Sequence, residues 1–307
     1  MTDDRSGDER RVLVVTHPVR AEAATVAADF CAQVTKAGMQ VRLLEGQSAL
    51  LNAWSDDPEI VSGPDAAEGC ELIVVFGGDG TILRGAELAR PSATPLLGVN
   101  LGHVGFLAEA EVDNMEFTVD RVVNRTYDVE ERLTIDVEVF VDGLPAARDW
   151  ALNEASVEKA ARERMLELMI EVDARPLSRF GCDGVVCATP TGSTAYNFSA
   201  GGPIVWPQVE ALLMVPISAH ALFARPMVVS PDSVLAIEVA TTGADQGVLW
   251  CDGRRKIDLA RGARVEVRRG QSPVRLARLH RAPFTDRLVR KFELPVTGWR
   301  GRGPAGG

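Results

Sequence analysis

The chain has 307 residues, of which 46% are hydrophobic and 25% are charged. These proportions are close to the average of globular proteins and exclude the disordered, collagenous and coiled-coil classes, and the length indicates one large domain or two domains. The formal net charge of −10 argues against a protein that binds nucleic acid by neutralising its phosphates.

No segment is predicted to enter a membrane or to direct secretion. The most apolar stretch, residues 212–224, is interrupted by Pro216 and His220 and is shorter than the roughly 20 residues of a spanning helix. The first ten residues mix acidic and basic side chains and lack the apolar core of a signal peptide. The five cysteines form no CxxC pair, which is typical of reduced thiols. We therefore expect a cytoplasmic protein.

The first 126 residues alternate short apolar runs with segments that fit helices. The apolar runs at residues 11–17, 41–44, 72–76 and 96–99 predict strands. Residues 23–34 carry apolar side chains at helical spacing and are followed by Gly38, and residues 82–90 and 112–123 also fit helices. Alternation of strands and helices indicates an α/β domain with a mostly parallel sheet over residues 1–126.

After residue 127 apolar and polar residues alternate with period two. The runs are LTIDVEVFV, MLELMIEVDA, SVLAIEVA, ARVEVRRG and PVRLARL. They predict strands of an all-β domain over residues 127–282, with a hairpin turn at Asp142-Gly143. A helical pattern returns in FTDRLVRKF, so we expect residues 283–307 to pack back on the first domain.

The strongest local motif is GGDGT, residues 77–81, between a predicted strand and a predicted helix. Ligands of open α/β sheets bind beyond the carboxyl ends of strands, and glycines let backbone amides approach phosphate oxygens. The carboxylate of Asp79 would repel an anion unless it accepts a proton from an attacking hydroxyl or helps to hold a metal that accompanies the phosphates. A tight turn without function is the alternative.

Neither common nucleotide fingerprint is present. Gly80 and Gly85 have Walker spacing, but Ala86 and Glu87 stand where that loop needs Lys and a hydroxyl. The glycines of GVNLGHVGF approach the GxGxxG pattern without matching it. A hydride-transferring Rossmann enzyme therefore loses its main support.

Two further polar groups fall in the second half. Residues 189–196 contain five hydroxyl side chains within eight residues, and hydroxyls with exposed amides bind phosphate and ribose without cationic side chains. A Ser/Thr-rich turn is the alternative. Asn153 and Glu154 together can exchange hydrogen bonds with a ribose diol, although a solvated strand end would show the same pair.

GGDGT, the LNE triplet, and DG followed by TPTGSTAY and GGP resemble the NAD kinase family over residues 70–255. The resemblance implies transfer of a terminal phosphoryl group from ATP or polyphosphate, with a divalent cation such as Mg²⁺, to the adenosine ribose 2′-hydroxyl of NAD. It also implies an α/β domain followed by a β-sandwich, and a homodimer or homotetramer whose subunits share dinucleotide sites. Because lipid kinases share GGDGT, a lipid kinase is one alternative. A non-catalytic dinucleotide sensor with the same fold is the other.

The same resemblance assigns roles to residues. Asp79 is the expected proton acceptor and contacts NAD. The other expected NAD contacts are Gly80, Phe106, Asn153, Glu154, Asp183, Thr194, Ala195, Tyr196 and Ser199. The residues expected on the side of the phosphoryl donor are Gly77, Gly78, Thr81, Arg84, Asp252 and Gly253. No metal ligand is assigned.

Two positions depart from the family pattern. Gly181 stands two positions before the DG aspartate, where a basic residue is common, and Arg179 is the candidate to supply that charge. Arg254 and Arg255 follow the later DG, where an amide is frequent. They add positive charge near the expected phosphates.

Overall fold

The computed structural model describes residues 9–54, 56–102, 105–111, 114–161, 164–241, 246–280 and 283–296. The chain divides into two units, one of residues 1–130 with 275–307 and the other of residues 131–274. The boundaries expected from the sequence lie at 126/127 and 282/283. Of the segment 283–307, residues 297–307 lie outside the described residues.

Strands and helices alternate through the first unit and give way to strands in the second. The strands are β1 (Arg11–Thr16), β2 (Gln40–Leu44), β3 (Glu59–Val61), β4 (Leu72–Phe76), β5 (Leu96–Asn100), β6 (Ala110–Glu111), β7 (Asp128–Arg132), β8 (Ile135–Val141), β9 (Leu144–Ala151), β10 (Glu154–Lys159), β11 (Leu166–Val172), β12 (Arg175–Cys182), β13 (Gly184–Ala188), β14 (Leu212–Ile217), β15 (Met227–Val229), β16 (Leu235–Val239), β17 (Gly247–Cys251), β18 (Arg255–Leu259), β19 (Arg264–Arg269) and β20 (Val274–Arg278). The helices are α1 (Ala21–Lys36), α2 (Ser48–Ala53), α3 (Asp79–Ser92), α4 (Met115–Val123), α5 (Tyr196–Ser199) and α6 (Phe284–Phe292), with a 3-10 turn at Thr191–Thr194.

The first unit is built on one sheet with the strand order β3-β2-β1-β4-β5-β20-β7, and β6 pairs beside β5. The pairs β1–β2, β1–β4, β4–β5 and β5–β20 are parallel, which confirms the predicted α/β architecture. All five residues of the central strand β4 are buried, as expected for a parallel strand covered on both faces. Phe30 of α1 packs on Phe76 with ring centroids 5.4 Å apart.

The run PVRLARL forms a strand as predicted, but the strand belongs to the parallel sheet of the first unit. It is β20, and its Leu276 pairs with Leu96 of β5. Alternation along a segment reports only which side chains are buried, so it does not identify the sheet in which the strand finds its partners. The helix predicted over residues 112–123 begins at Met115, and residues 112 and 113 lie outside the described residues.

The second unit contains two antiparallel sheets of six strands each, ordered β15-β14-β13-β10-β17-β18 and β12-β11-β16-β19-β8-β9. Inward side chains of both sheets form one hydrophobic core, for example Val137 and Leu168 from one sheet and Val185 and Leu249 from the other. The predicted β-sandwich is therefore confirmed. Asp142 (φ 51°) and Gly143 (φ 76°) join β8 to β9, which confirms the predicted hairpin turn.

Strand β13 is buried on both faces, because the chain after it folds back over the sheet. Its Val185 and Cys187 join the sandwich core, while Val186 and Ala188 pack in a second cluster that includes Tyr196 and other residues from outside the sheet. This second cluster fixes the TPTGSTAY segment on the outer face of the sheet. No helix among the described residues is long and apolar enough to cross a membrane.

Candidate active site

The GGDGT loop lies at the carboxyl end of β4, where the chain turns into α3. The N–H of Gly77 donates to the carbonyl of Val99 at the end of β5 (3.0 Å). Gly78 is the N-cap of α3 and Asp79 its first residue. Gly80 is exposed, Thr81 is buried and Arg84 is half-buried one turn later. The positive end of a helix of 14 residues therefore faces the place where a phosphate is expected.

The Asp79 carboxylate is held by a second loop of the same unit. Its Oδ2 accepts the N–H of Phe106 and its Oδ1 accepts the N–H of Leu107, both at 3.2 Å. Gly105 permits this approach, because a Cβ there would lie 2.4 Å from Asp79 Oδ1. Gly105 is not among the residues predicted to be functional, although it lies in the glycine-rich run GVNLGHVGF.

In the second unit, Asp252 holds the LNE triplet. Its carboxylate accepts the N–H groups of Leu152 (3.0 Å), Asn153 (2.7 Å) and Glu154 (3.3 Å). The side chain is 2% exposed, and burial raises the pKa of Asp252 despite these amide donors. Asp252 is predicted on the side of the phosphoryl donor, but its carboxylate binds the backbone of residues 152–154. Its neighbour Gly253 is exposed.

Arg255, one of the two arginines that depart from the family pattern, braces the Asp252 turn. Its Nη2 is 3.3 Å from Asp252 Oδ2 and its Nε is 2.9 Å from Asp149 Oδ1. The guanidinium also lies over the Trp150 ring, 4.9 Å from the centroid. The positive charge of Arg255 is therefore paired with two carboxylates and stacked on an aromatic ring of the same unit.

The TPTGST turn packs directly against the LNE triplet. Thr189 donates from Oγ1 to the carbonyl of Leu152 (2.6 Å) and from N–H to that of Asn153 (2.9 Å). Gly192 lies so close that an added Cβ would be 1.9 Å from the Asn153 carbonyl oxygen. Ser193 Oγ bridges the N–H and carbonyl of Val205. Several of the clustered hydroxyls therefore maintain the turn itself.

Glu154 is a buried carboxylate with unused hydrogen-bonding capacity. The carboxylate accepts the backbone N–H of Tyr196, while its Oε2 atom is buried and finds no hydrogen-bond partner among the described residues. Burial, with the charges of Asp252 and Glu158 adding to it, raises the pKa of Glu154 to about 8. A buried acceptor without a donor is costly in a folded protein, which makes Glu154 a candidate binding group.

Asp183 and Tyr196 lie in the same region of the second unit. Lys159 forms an ion pair with Asp183, and its hydrogen bond holds the pKa of Asp183 below the ordinary value. Lys159 therefore carries the positive charge beside Asp183, while Arg179, the sequence candidate, pairs with Glu167 at 2.9 Å. Burial raises the pKa of Tyr196, and nearby carboxylates that include Glu154 and Asp183 add to the effect.

The remaining predicted residues surround these groups within their own units. Thr194, Ala195 and Tyr196 are half-buried, and Ser199 is exposed on α5. In the first unit the half-buried Phe106 packs its ring against Phe284 and Phe292 of α6, with centroids 6.0 and 5.8 Å away. Each unit therefore gathers its own set of predicted residues.

The carboxylates do not provide a closed metal site. Among the residues that the structure describes, no group of three or more His, Cys, Asp or Glu side chains is arranged to hold a metal ion.

Comparison with known proteins identifies both parts of the chain. The family profile described as the ATP-NAD kinase N-terminal domain matches residues 12–127. The profile described as the ATP-NAD kinase C-terminal domain matches residues 152–279. Together the two profiles cover most of the sequence.

Curated relatives match over nearly the full length. NAD kinase 2 of Streptomyces avermitilis is 59% identical over 303 residues, which are 98% of this chain and 99% of the relative. NAD kinase of Thermobifida fusca is 61% identical over 301 residues, with coverages of 95% and 92%.

Solved structures share the fold. Yeast NADH kinase complexed with NADH superposes with a TM-score of 0.86 at 23% identity, covering 97% of this chain and 91% of the other. An NAD kinase from Archaeoglobus fulgidus in complex with ATP gives a TM-score of 0.70 at 25% identity, with coverages of 93% and 100%.

Replacing Glu154 with Gln should stabilise the protein increasingly as the pH rises. The folded state holds the proton up to about pH 8, whereas the unfolded chain releases it near the ordinary pKa of 4.5. Wild type therefore loses stability relative to E154Q between these pH values and not below them. Melting temperatures measured from pH 4 to 9 should separate by about 2–4 °C per kcal/mol. The exposed Glu45→Gln variant is the control for removing a carboxylate from the surface, and a flat difference for E154Q contradicts the assignment.

Gly192→Ala should destabilise the second unit and weaken NAD binding. The added methyl would displace the Asn153 carbonyl, at a cost of about 1–3 kcal/mol. Gly247→Ala is the matched control, because a Cβ there meets side-chain atoms at 3.4 Å or more. Thermal unfolding and NAD titration calorimetry should show a loss for G192A and little change for G247A. Equal behaviour of the two variants would exclude the close approach as the reason for this glycine.

Proposed function

The chain belongs to the NAD kinase family and phosphorylates NAD to NADP, and we propose that Asp79 accepts the proton of the ribose 2′-hydroxyl during transfer. The observation that carries the proposal is the Asp79 carboxylate, fixed at the carboxyl end of β4 by two backbone amides. A carboxylate has about four lone-pair positions, so two amide hydrogen bonds leave capacity for a substrate hydroxyl.

With ATP as donor, the proposed phosphoryl transfer forms one bond to phosphorus and breaks one. The hydroxyl proton passes to Asp79, the ribose oxygen bonds to the γ-phosphorus, and the bond from that phosphorus to the bridging oxygen breaks to release ADP. We propose that negative charge on the transferring group is stabilised by the backbone amides of residues 78–80, by the positive end of α3 and by Arg84. The N–H groups of Gly77 and Thr81 donate to the carbonyls of Val99 and Gly78 and maintain the loop. Both the family description and the ATP complex of the Archaeoglobus relative support ATP over polyphosphate.

We propose that Asn153 and Glu154 bind the ribose diol. The unpaired Oε2 of Glu154 suits a hydroxyl donor, and the Asn153 amide both donates and accepts. Asp183, Thr194, Ala195, Tyr196, Ser199, Gly80 and Phe106 complete the proposed dinucleotide contacts. For Asp252 the three amide hydrogen bonds support a positioning role toward Asn153 and Glu154, and Gly253 keeps the proposed donor contact.

A divalent cation, proposed as Mg²⁺, enters this scheme with the donor. The absence of a three-ligand group among the described side chains supports binding through the phosphates and water. When bound, such a cation would neutralise charge on the phosphate oxygens.

We also propose a homodimer or homotetramer with shared sites. Leu222, Phe223 and Val228 of the second unit lie within seven residues of one another in the sequence and are more than half exposed, and exposed apolar side chains in one segment support an interaction surface there. A cytoplasmic location is supported by the five cysteines, all within the described residues and all free thiols.

Asp79→Asn should retain the fold and most of the NAD affinity while losing turnover. Loss of a proton acceptor costs about 10²–10⁴-fold in rate, whereas the amide keeps the size of the side chain. The assay follows NADP formation with ATP and, in parallel, with polyphosphate, and calorimetry measures NAD binding. Asp142→Asn, in the hairpin turn, is the matched control and should be fully active. Turnover of D79N near that of wild type would refute the role of Asp79.

Dilution should lower specific activity if neighbouring subunits complete the NAD site. Mass action separates subunits below their dissociation constant, so activity should fall over the range in which light scattering or mass photometry reports dissociation. Constant specific activity in fully dissociated protein would contradict shared sites and leave the role of Asp79 unaffected.

A further inference from the structure

Helix α6 holds, from the opposite side, the backbone segment whose amides bind Asp79. Arg287 Nη1 donates to the carbonyl oxygens of Phe106 (3.0 Å) and Ala108 (2.9 Å). The N–H groups of Phe106 and Leu107 in the same segment donate to the Asp79 carboxylate. Residues 106–108 therefore lie between a guanidinium and a carboxylate.

One peptide group connects these two charges directly. The carbonyl of Phe106 and the N–H of Leu107 belong to the same planar unit. Arg287 contacts its oxygen and Asp79 contacts its hydrogen. A cation on the carbonyl side polarises the peptide and makes its N–H a stronger donor, so Arg287 favours the hydrogen bond that orients the Asp79 carboxylate.

The aromatic contacts restrain the same segment. The Phe106 ring packs against Phe284 and Phe292, which stand near the two ends of α6, with centroids 6.0 and 5.8 Å away. Arg287 lies between these positions along the helix. The side chain and the carbonyl of Phe106 are thus both held by one helix, and a shift of α6 must move residue 106.

Arg287 is itself fixed by one buried carboxylate. It forms an ion pair with Glu109, whose side chain is 1% exposed, while the Arg287 side chain is 14% exposed. Arg278 of β20 binds the same carboxylate at 2.7 Å and reaches Glu130 at 2.8 Å. Two arginines and two glutamates balance in charge, which keeps the guanidinium of Arg287 in one place.

We propose that Arg287 is a positioning residue for the phosphoryl transfer. By holding residues 106–108 it sets the place and orientation of the Asp79 carboxylate. The inference rests on the proposed role of Asp79. A purely structural arginine would affect stability alone, whereas a positioning arginine affects turnover at constant fold.

The test compares Arg287→Ala with a matched arginine of the same unit. Arg42 also donates to two carbonyl oxygens, of Ala66 and Glu68, and pairs with Glu59, and its side chain is 10% exposed. R287A should lower kcat by about 10- to 100-fold, with a smaller change in KM for NAD. Arg42→Ala should lower the melting temperature comparably and leave kcat within about twofold of wild type.

Chemical rescue and a double variant distinguish the possible failures. Millimolar guanidinium should restore turnover to R287A and leave R42A unchanged, and Arg287→Lys should be intermediate, since lysine lacks the planar fork. If R287A does not fold, R287K carries the test by its kcat. The variant D79N/R287A should be as slow as D79N, because Arg287 acts through Asp79.

Several results would overturn the inference. The first is an unchanged kcat of R287A, or of R287K if R287A does not fold. The second is an equal loss of kcat in R42A, and the third is a failure of guanidinium to restore turnover to R287A. The fourth is a kcat of D79N/R287A that is lower than that of D79N by the full factor seen for R287A. Each of these leaves the role of Asp79 standing, because that role is judged by D79N alone. An active D79N would instead refute the proposed function and the inference together.

Discussion

Carboxylates that accept consecutive backbone amides hold the loops of both units in place. Asp79 binds the N–H groups of Phe106 and Leu107, and Asp252 binds those of Leu152, Asn153 and Glu154. Hydrogen bonds to charged groups contribute about 1.5–3 kcal/mol each. They also bring together segments 27 to 100 residues apart in the sequence. These clamps fix the loops, while the end of β4, the start of α3 and the start of β10 place Asp79 and Glu154 in the chain fold.

The second unit buries two carboxyl groups at the LNE triplet, which costs stability. Glu154 and Asp252 are two buried carboxylates near each other, and burial raises the pKa of both. Burying two neighbouring carboxyl groups costs stability unless hydrogen bonds or protonation compensate for the loss of water. Buried polar groups of this kind persist where a ligand supplies the missing donor, and the proposed ribose diol would supply it to Glu154. The burial of Glu154 therefore both lowers the stability of the folded state and leaves a carboxyl oxygen that a ligand can bind.

The path of the chain explains how a residue near its end reaches Asp79. After the second unit, β20 returns to the parallel sheet beside β5, and α6 follows it. The loop that begins after β5 contains Phe106, so Arg287 meets a segment 181 residues earlier in the sequence. Parallel strands end at the same edge of the sheet, and this topology brings the segments after β5 and β20 together.

The local elements and the motifs could be predicted from the order of the residues alone. Period and turn chemistry identified strands such as β4, the helix of residues 284–292 and the hairpin at Asp142, and the motif order identified the family. Three contacts could be seen only in the folded chain: PVRLARL joins the parallel sheet, Lys159 pairs with Asp183, and Arg287 binds the carbonyl of Phe106. The period of the apolar residues indicates which face of one segment is buried. A hydrogen-bond partner depends on which distant segments come together in the fold, and a local sequence pattern does not specify this.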